Sequence, residues 1–333
     1  MMRRLGLVLL VLCCALSAAH ARKVKVKLAT VAPKGTAFHR ILEELAAEWE
    51  KASGGDVELK IFPGGVAGDE TEVIRKIRLG TLSAGLVTST GLAEIDRAVN
   101  ALQIPMAFAS PEQFDFVRKK MEPGLEKLYA DKGFVILGWS EAGWVRFLST
   151  APIVDPADAH KLKMFINGGN AEQVEVWKKG GFKPVPLPVT EITTALQTGL
   201  IEAVPTTPQG TLMMQWHKYA KYMSDFAWSP LVGGLVIDAK TWEKIDEGQR
   251  AALLAAARRA GDKLRAEVRA NDRTAVEEMV KRGLVLTPMT PEALAKWRVM
   301  VEGMRDALRG AYVPPAAWDE AQGHIAAWQA GAR

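Results

Sequence analysis

Hydrophobic positions change their period along the chain, and the changes outline its elements. Residues 23–30 alternate lysines with Val24, Val26 and Leu28, the period-two signature of a strand with one solvent face. Pro33-Lys34-Gly35 then predicts a turn, and Thr36 is placed to cap a helix in which Phe38, Ile41, Leu42, Leu45 and Trp49 share one face. Gly54-Gly55 ends that helix. Val57, Leu59 and Ile61 alternate as a second strand closed by Pro63-Gly64-Gly65, and Val73, Ile74 and Ile77 mark a short helix ended by Gly80. Residues 84–87 read as a third, buried strand. Strands alternating with helices through short Gly/Pro connections predict an α/β domain with a largely parallel sheet.

A second unit follows the same plan. Residues 134–139, 146–149 and 162–166 are strand-like, 171–179 helical and 184–188 extended. Thr190 is placed to cap a helix over 191–198 that stops at Gly199, and 231–237 is another apolar strand. Beyond Lys240 the character changes. Residues 242–281 are charged, Ala-rich and helical, with Leu253, Leu254, Ala257 and Leu264 as an apolar stripe, and two further helices are predicted near 291–308 and 315–328. Strands first and helices last suggest two α/β lobes with a helical C-terminal wrap.

The 333 residues, 48% hydrophobic and 24% charged, are enough for two domains with real cores. At the N-terminus Arg3 and Arg4 precede an apolar run over 5–16 and the A-x-A signal Ala19-His20-Ala21, which predicts a secretory signal peptide over 1–21. Val11-Leu12 before Cys13 lacks the small residue of a lipidation signal. Both cysteines, Cys13 and Cys14, fall inside the signal, so the processed chain is expected to work without disulfides, thiolates or cysteine-bound metals. Loss of Arg3 and Arg4 takes 43 basic residues to 41 against 38 acidic ones, a balance that argues against nucleic acid as partner.

Catalytic motifs are missing. His39, His160, His217 and His324 show no metal-ligand spacing, Gly138-Trp139-Ser140-Glu141-Ala142-Gly143 is not G-x-S-x-G, and no G-x-G-x-x-G or P-loop occurs. No cofactor, metal or enzymatic activity is expected. A cleft between two α/β lobes would suit a small ligand. Thr206, Thr207 and Gln209 offer polar contacts there. Met213, Met214 and Trp216 either line the cleft as adaptable apolar groups or are plain helix core.

Four segments carry a family resemblance: 27–38, 62–80, Leu102-Gln103-Ile104-Pro105-Met106-Ala107-Phe108, and 184–202 from Pro184-Val185-Pro186-Leu187-Pro188 to Gly199-Leu200-Ile201-Glu202. In them the chain resembles the substrate-binding proteins of TRAP transporters, the DctP-like family. The resemblance implies a two-lobed periplasmic binding protein fold with a long connecting helix. Its lobes would be 22–145 with 233–272 and 146–232 with 273–333. It also implies a periplasmic location, a membrane permease as partner, and an organic carboxylate as the usual ligand, held by an arginine in a Leu-Lys-x-Arg segment. Here that segment reads Leu162-Lys163-Met164-Phe165, so Phe165 stands where the arginine is expected.

That departure changes the expected ligand. Phenylalanine offers no donor, so a carboxylate held there would be buried unpaired at a cost of several kcal/mol, whereas an apolar group would gain roughly 1.5–3 kcal/mol. A largely hydrophobic ligand is therefore expected. Phe165 would form its wall and Arg146, which matches a second arginine of the family, its polar anchor. Thr206, Thr207 and Gln209 would bond near the hinge, where the family's asparagine falls with one residue inserted. Trp144, Met213 and Trp216 would line the cavity, and Glu70 sits where relatives sometimes contact ligand polar groups. A shifted register would make Lys161 or Lys163 the cation, and Arg146 with Lys163 could together hold a carboxylate. The stretch Val204-Pro205-Thr206-Thr207-Pro208 is similar to the branch accompanied by a periplasmic tetratricopeptide-repeat subunit. A ligand sensor for a membrane receptor fits the same residues as an importer component.

Overall fold

A computed structural model describes residues 23–167 and 171–331; the signal-peptide segment lies outside them. Strand β1 (Val24–Ala29) pairs in parallel with β2 (Val57–Phe62) and with β3 (Ala84–Thr88), and helices α1 (Ala37–Ala52) and α2 (Glu70–Arg78) connect them. Thr36 caps α1, accepting the His39 N–H at 3.3 Å. The chain continues through α3 (Ser89–Ile95), a 3₁₀ turn (Arg97–Gln103) and α4 (Pro111–Asp131), a 21-residue helix that the hydrophobic pattern did not announce. Its apolar positions are broken by charged residues, and Pro123 and Gly124 stand inside it.

Strand β4 (Phe134–Ser149) joins the two halves. Its first part pairs with β9 (Ser229–Asp238), from Phe134↔Asp238 to Val145↔Ser229, and its last four residues pair with β7 (Ala203–Thr206). Two separate strands were expected at 134–139 and 146–149, because Ser140-Glu141 and Gly143 interrupt the alternation. The structure corrects this to one 16-residue strand with irregularities between Ile136 and Gly138 and between Glu141 and Gly143. Glu141 survives inside the sheet because Arg269 reaches it at 2.6 Å.

The second half adds α5 (Pro156–Ala159), β5 (Lys163–Asn167), α6 (Ala171–Lys179) and β6 (Lys183–Leu187). A 3₁₀ turn (Val189–Glu191) and α7 (Ile192–Gln197) lead into β7 and α8 (Pro208–Met213). Strand β5 lies between β6 and β7, parallel to both. Thr190 was expected to cap the following helix; it sits instead within the 3₁₀ turn, and α7 begins without a side-chain cap. The sheet is mixed, in the order β2-β1-β3-β9-β4-β7-β5-β6, because β4 and β9 run antiparallel to their neighbours. The short strands β8 (Tyr222–Ser224) and β10 (Val285–Thr287) attach beside β4.

After α9 (Ala239–Glu243), helix α10 (Glu247–Lys281) runs for 35 residues, about 50 Å, along both halves. It lies directly on β4: a Cβ built on Gly261 would come 2.3 Å from the Trp139 carbonyl oxygen, and one on Gly138 would come 2.7 Å from that of Ala257. Helix α11 (Pro291–Gly303) packs by α5, through Lys296–Asp155 at 2.8 Å and the buried Trp297. A kinked turn (Leu308–Tyr312) then returns the chain to α13 (Pro315–Gln329), after the single turn α12 (Arg305–Ala307); α13 packs on α4 and on the 97–103 turn. One core lies under α1 and α10 around Trp49 and Leu253, another around Leu148, Ile192 and Met279, and the largest runs through both halves from Val73 to Trp297. Among the described residues no helix is long and apolar enough to cross a membrane.

Candidate functional site

A cavity of about 410 Å³ opens between the two halves, where β1, β3, β5 and β7 end and the loops that follow them face one another. Its two walls differ in chemistry. The first-half wall comes from the start of α2 (Glu70, Thr71), the β3–α3 junction (Thr88, Ser89, Thr90), and Arg97, Asn100 and Gln103 of the 3₁₀ turn. The second-half wall is mainly apolar, with Phe165 and Ile166 of β5, Trp177 of α6, and Ile192, Met213 and Trp216 around α7 and α8. Val145, Trp228, Leu231 and Tyr312 close the sides.

The hydroxyl wall is rigid because Glu70 organises it. Its carboxylate, 3% exposed, accepts from the Thr88 N–H at 2.9 Å, the Thr88 hydroxyl at 2.7 Å and the Gly91 N–H at 3.0 Å. Burial pushes this carboxyl above the ordinary glutamate range, against the pull of those three donors. Glu70 thus spends its acceptors on the β3–α3 turn rather than on the cavity. Thr207 caps α8 by accepting the Gly210 N–H at 3.1 Å, and the Trp216 indole N–H donates to Thr193 at 3.2 Å, which leaves that ring as an apolar surface.

Among the described residues, Arg97 is the only Lys, Arg or His in the lining. Its Nη1 donates to the Ala311 carbonyl at 2.8 Å and to Glu172 Oε2 at 3.1 Å, so the guanidinium spans the mouth from the first half to α6 of the second. Gly65 of the first half also approaches Thr190 of the second: a Cβ on Gly65 would stand 3.0 Å from Thr190 Cγ2. No cluster of three or more potential metal-binding side chains occurs among the described residues.

The candidate residues divide. Phe165, Thr206, Thr207, Met213, Trp216 and Glu70 all line the cavity; Arg146, Gln209 and Trp144 do not. Arg146 stands opposite Thr206 in the β4–β7 ladder, but its Nη1 is tied to Asp225 at 2.8 Å, on the side of Asp272. Its Nε is buried with no hydrogen-bond partner among the described residues. Trp144 packs edge-on against Phe114 of α4 with ring centroids 6.1 Å apart, and Gln209 sits on α8 outside the wall. The lysines are remote as well: Lys163 donates its ammonium to the Gly199 carbonyl and its N–H to Glu202, and Lys161 pairs with Asp158 at 2.9 Å. Arg97, Trp177, Trp228 and the Thr88–Thr90 hydroxyls were missed. Only the last had a legible signal, a run of hydroxyls directly after an apolar strand and before a helix.

Residues 28–308 match the family model for bacterial extracellular solute-binding protein, family 7 (DctP). The chain is 26% identical over 251 residues to the 2,3-diketo-L-gulonate-binding periplasmic protein YiaO of Escherichia coli, covering 74% of this chain and 76% of that one. Among solved structures, the sugar acid binding protein DctPAm of Advenella mimigardefordensis, in complex with galactonate, superposes with a TM-score of 0.84 at 16% identity over 91% of this chain and 97% of that one. A TRAP periplasmic solute binding protein of Pseudomonas putida with bound D-glucuronate gives 0.82 at 22% identity over 91% and 97%. A third, from Ochrobactrum anthropi, gives 0.78 at 25% identity over 94% and 98%.

Proposed function

The chain belongs to family 7 of the bacterial extracellular solute-binding proteins, and from that premise we propose that it captures a small organic acid in the cleft between its halves, outside the cytoplasm, and delivers it to a TRAP-type membrane permease. It is a carrier that releases its ligand unchanged. The lobes of this reading are 22–145 with 233–272 and 146–232 with 273–333, with α13 reaching back to α4.

One observation carries the ligand class: Arg97, the only basic group in the lining among the described residues, faces the cavity from a wall of hydroxyls and amides that also holds Glu70 and Glu94. A carboxylate on Arg97 forms a charge-assisted bond in a partly desolvated site, where such bonds are strongest. The sugar acids bound by structural neighbours support the same class. The expectation of a largely hydrophobic ligand therefore gives way to an acid, and the cation of the carboxylate alternative moves from Arg146 and Lys163 to Arg97. The permease is the proposed partner; an accompanying tetratricopeptide-repeat subunit rests on the stretch 204–208 alone.

Calorimetric titration with a set of small carboxylic acids and the matching neutral amides tests this. Saturable binding of an acid, absent for its amide and weakened at least tenfold by Arg97→Gln, is expected. Equal binding of acid and amide overturns the reading.

A further inference from the structure

The two walls of the cavity are chemically unequal, and that inequality constrains the shape of the acid. On the first-half wall Ser89, Thr90 and Gln103 make no side-chain hydrogen bond to other described residues, so their polar groups are available to a ligand. The second-half wall presents Phe165, Ile166, Ile192, Met213 and Trp216 as one apolar patch, with the Thr206 hydroxyl as its polar exception; Thr207 is spent on the Gly210 N–H, and the amides Asn167 and Gln173 already have partners. Trp177 and Trp228, with centroids 6.1 Å apart and planes 36° apart, extend this apolar surface around the side of the cavity.

An acyclic polyol acid fits such a site poorly. Its hydroxyls project to both sides of the carbon chain, so those turned toward Phe165 and Trp216 lose water without gaining a partner. Each unpaired buried hydroxyl costs on the order of tenfold in affinity or more. A second carboxylate fares no better, because Arg97 is the only basic residue in the lining among the described residues and Glu94 stands nearby in the same wall.

We propose that the preferred ligand is a planar, ring-bearing monocarboxylate. Its carboxylate pairs with Arg97, one ring face lies on the Phe165–Trp216 wall, and its edge turns toward Ser89, Thr90 and Gln103. Flat rings present no polar group to an apolar wall and gain from offset or edge contacts with Trp and Phe. A cavity of about 410 Å³ is large enough for a molecule of this kind. The inference rests on the acid reading above and narrows it.

Titration calorimetry on the full processed chain compares phenylacetate and indole-3-acetate with D-galactonate, D-glucuronate and octanoate, with phenylacetamide as the neutral control. The aromatic acids are expected to bind at least tenfold more tightly than either sugar acid and than octanoate, and phenylacetamide at least tenfold more weakly than phenylacetate. Phe165→Arg should reverse the order, lowering phenylacetate affinity and raising that of galactonate. Tighter binding of a sugar acid or of octanoate to the unaltered protein overturns the ring inference and leaves the acid reading standing. Phenylacetamide binding as tightly as phenylacetate overturns both.

Discussion

At the scale of single residues, the strongest consequence of the structure is a transfer of charge. Arg146 and Lys163 are cations by sequence, yet Arg146 Nη1 pairs with Asp225, the Lys163 ammonium donates to the Gly199 carbonyl, and neither side chain lies in the cavity lining. Arg97 is half-exposed at the cleft mouth and held by one carbonyl and one exposed carboxylate, a surface pair worth about 0–1 kcal/mol that a ligand carboxylate can replace. Arg97→Gln should then lower acid affinity roughly ten- to hundredfold, the worth of a charge-assisted bond of about 1.5–3 kcal/mol. Arg146→Ala should change affinity by less than about threefold while lowering the melting temperature; calorimetry of both variants checks the contrast, and the reverse ranking would return the anchor to Arg146. The legibility of the site follows the same division. Phe165 and Thr206 could be placed because the family resemblance locates the segments that form β5 and β7. Arg97 could not, because what brings it to the mouth is a turn at 308–312, more than two hundred residues away along the chain.

Among the elements, α10 and β4 carry the architecture, and both owe their contact to glycine. Gly261→Ala gains about 1 kcal/mol of helix propensity, but its methyl would press 2.3 Å from the Trp139 carbonyl, an overpacking cost of up to about 3 kcal/mol. The cost wins, and a net fall of roughly 2 kcal/mol should lower the melting temperature by about 3 °C, measured by scanning calorimetry. The same helix is pinned by Arg269, which bridges Asp115 of α4 at 2.7 Å and Glu141 of β4 at 2.6 Å. Burial alone would raise the Asp115 carboxyl, but the guanidiniums of Arg269 and Arg118 outweigh it and hold it below its ordinary 3.8. A depressed carboxylate stabilises the fold above its unfolded value and loses that contribution as pH falls through the folded one. Acid titration below pH 4 should accordingly destabilise the natural protein more steeply than Arg269→Met, followed by circular dichroism; parallel curves would remove the bridge from the stability account. Period and turn chemistry made β1, α1, β2, α2 and β3 readable. They failed at α4, where charges interrupt the apolar stripe, and at β4, where a buried ion pair lets Glu141 sit in a sheet that alternation alone would have ended.

For the whole molecule, the question is whether two halves with a cleft between them behave as one cooperative body. By the proposed lobes the chain crosses between the halves in β4, in β9 and within α10, and the largest core is continuous from Val73 to Trp297. The cores under α1 and around Ile192 are local to one half each. The halves are also bridged by Arg97–Glu172 and by the approach of Gly65 to Thr190, contacts too few to hold closure without a ligand that touches both walls. A ligand at a hundredfold excess over its dissociation constant adds about 2.7 kcal/mol to the folded state. Because the shared core couples the halves, that energy should appear as one calorimetric transition raised by about 4 °C, accompanied by a smaller radius of gyration in solution scattering. Two separating transitions, only one of them shifted, would mean that the ligand belongs to one half and that closure across the cleft is not how this protein binds.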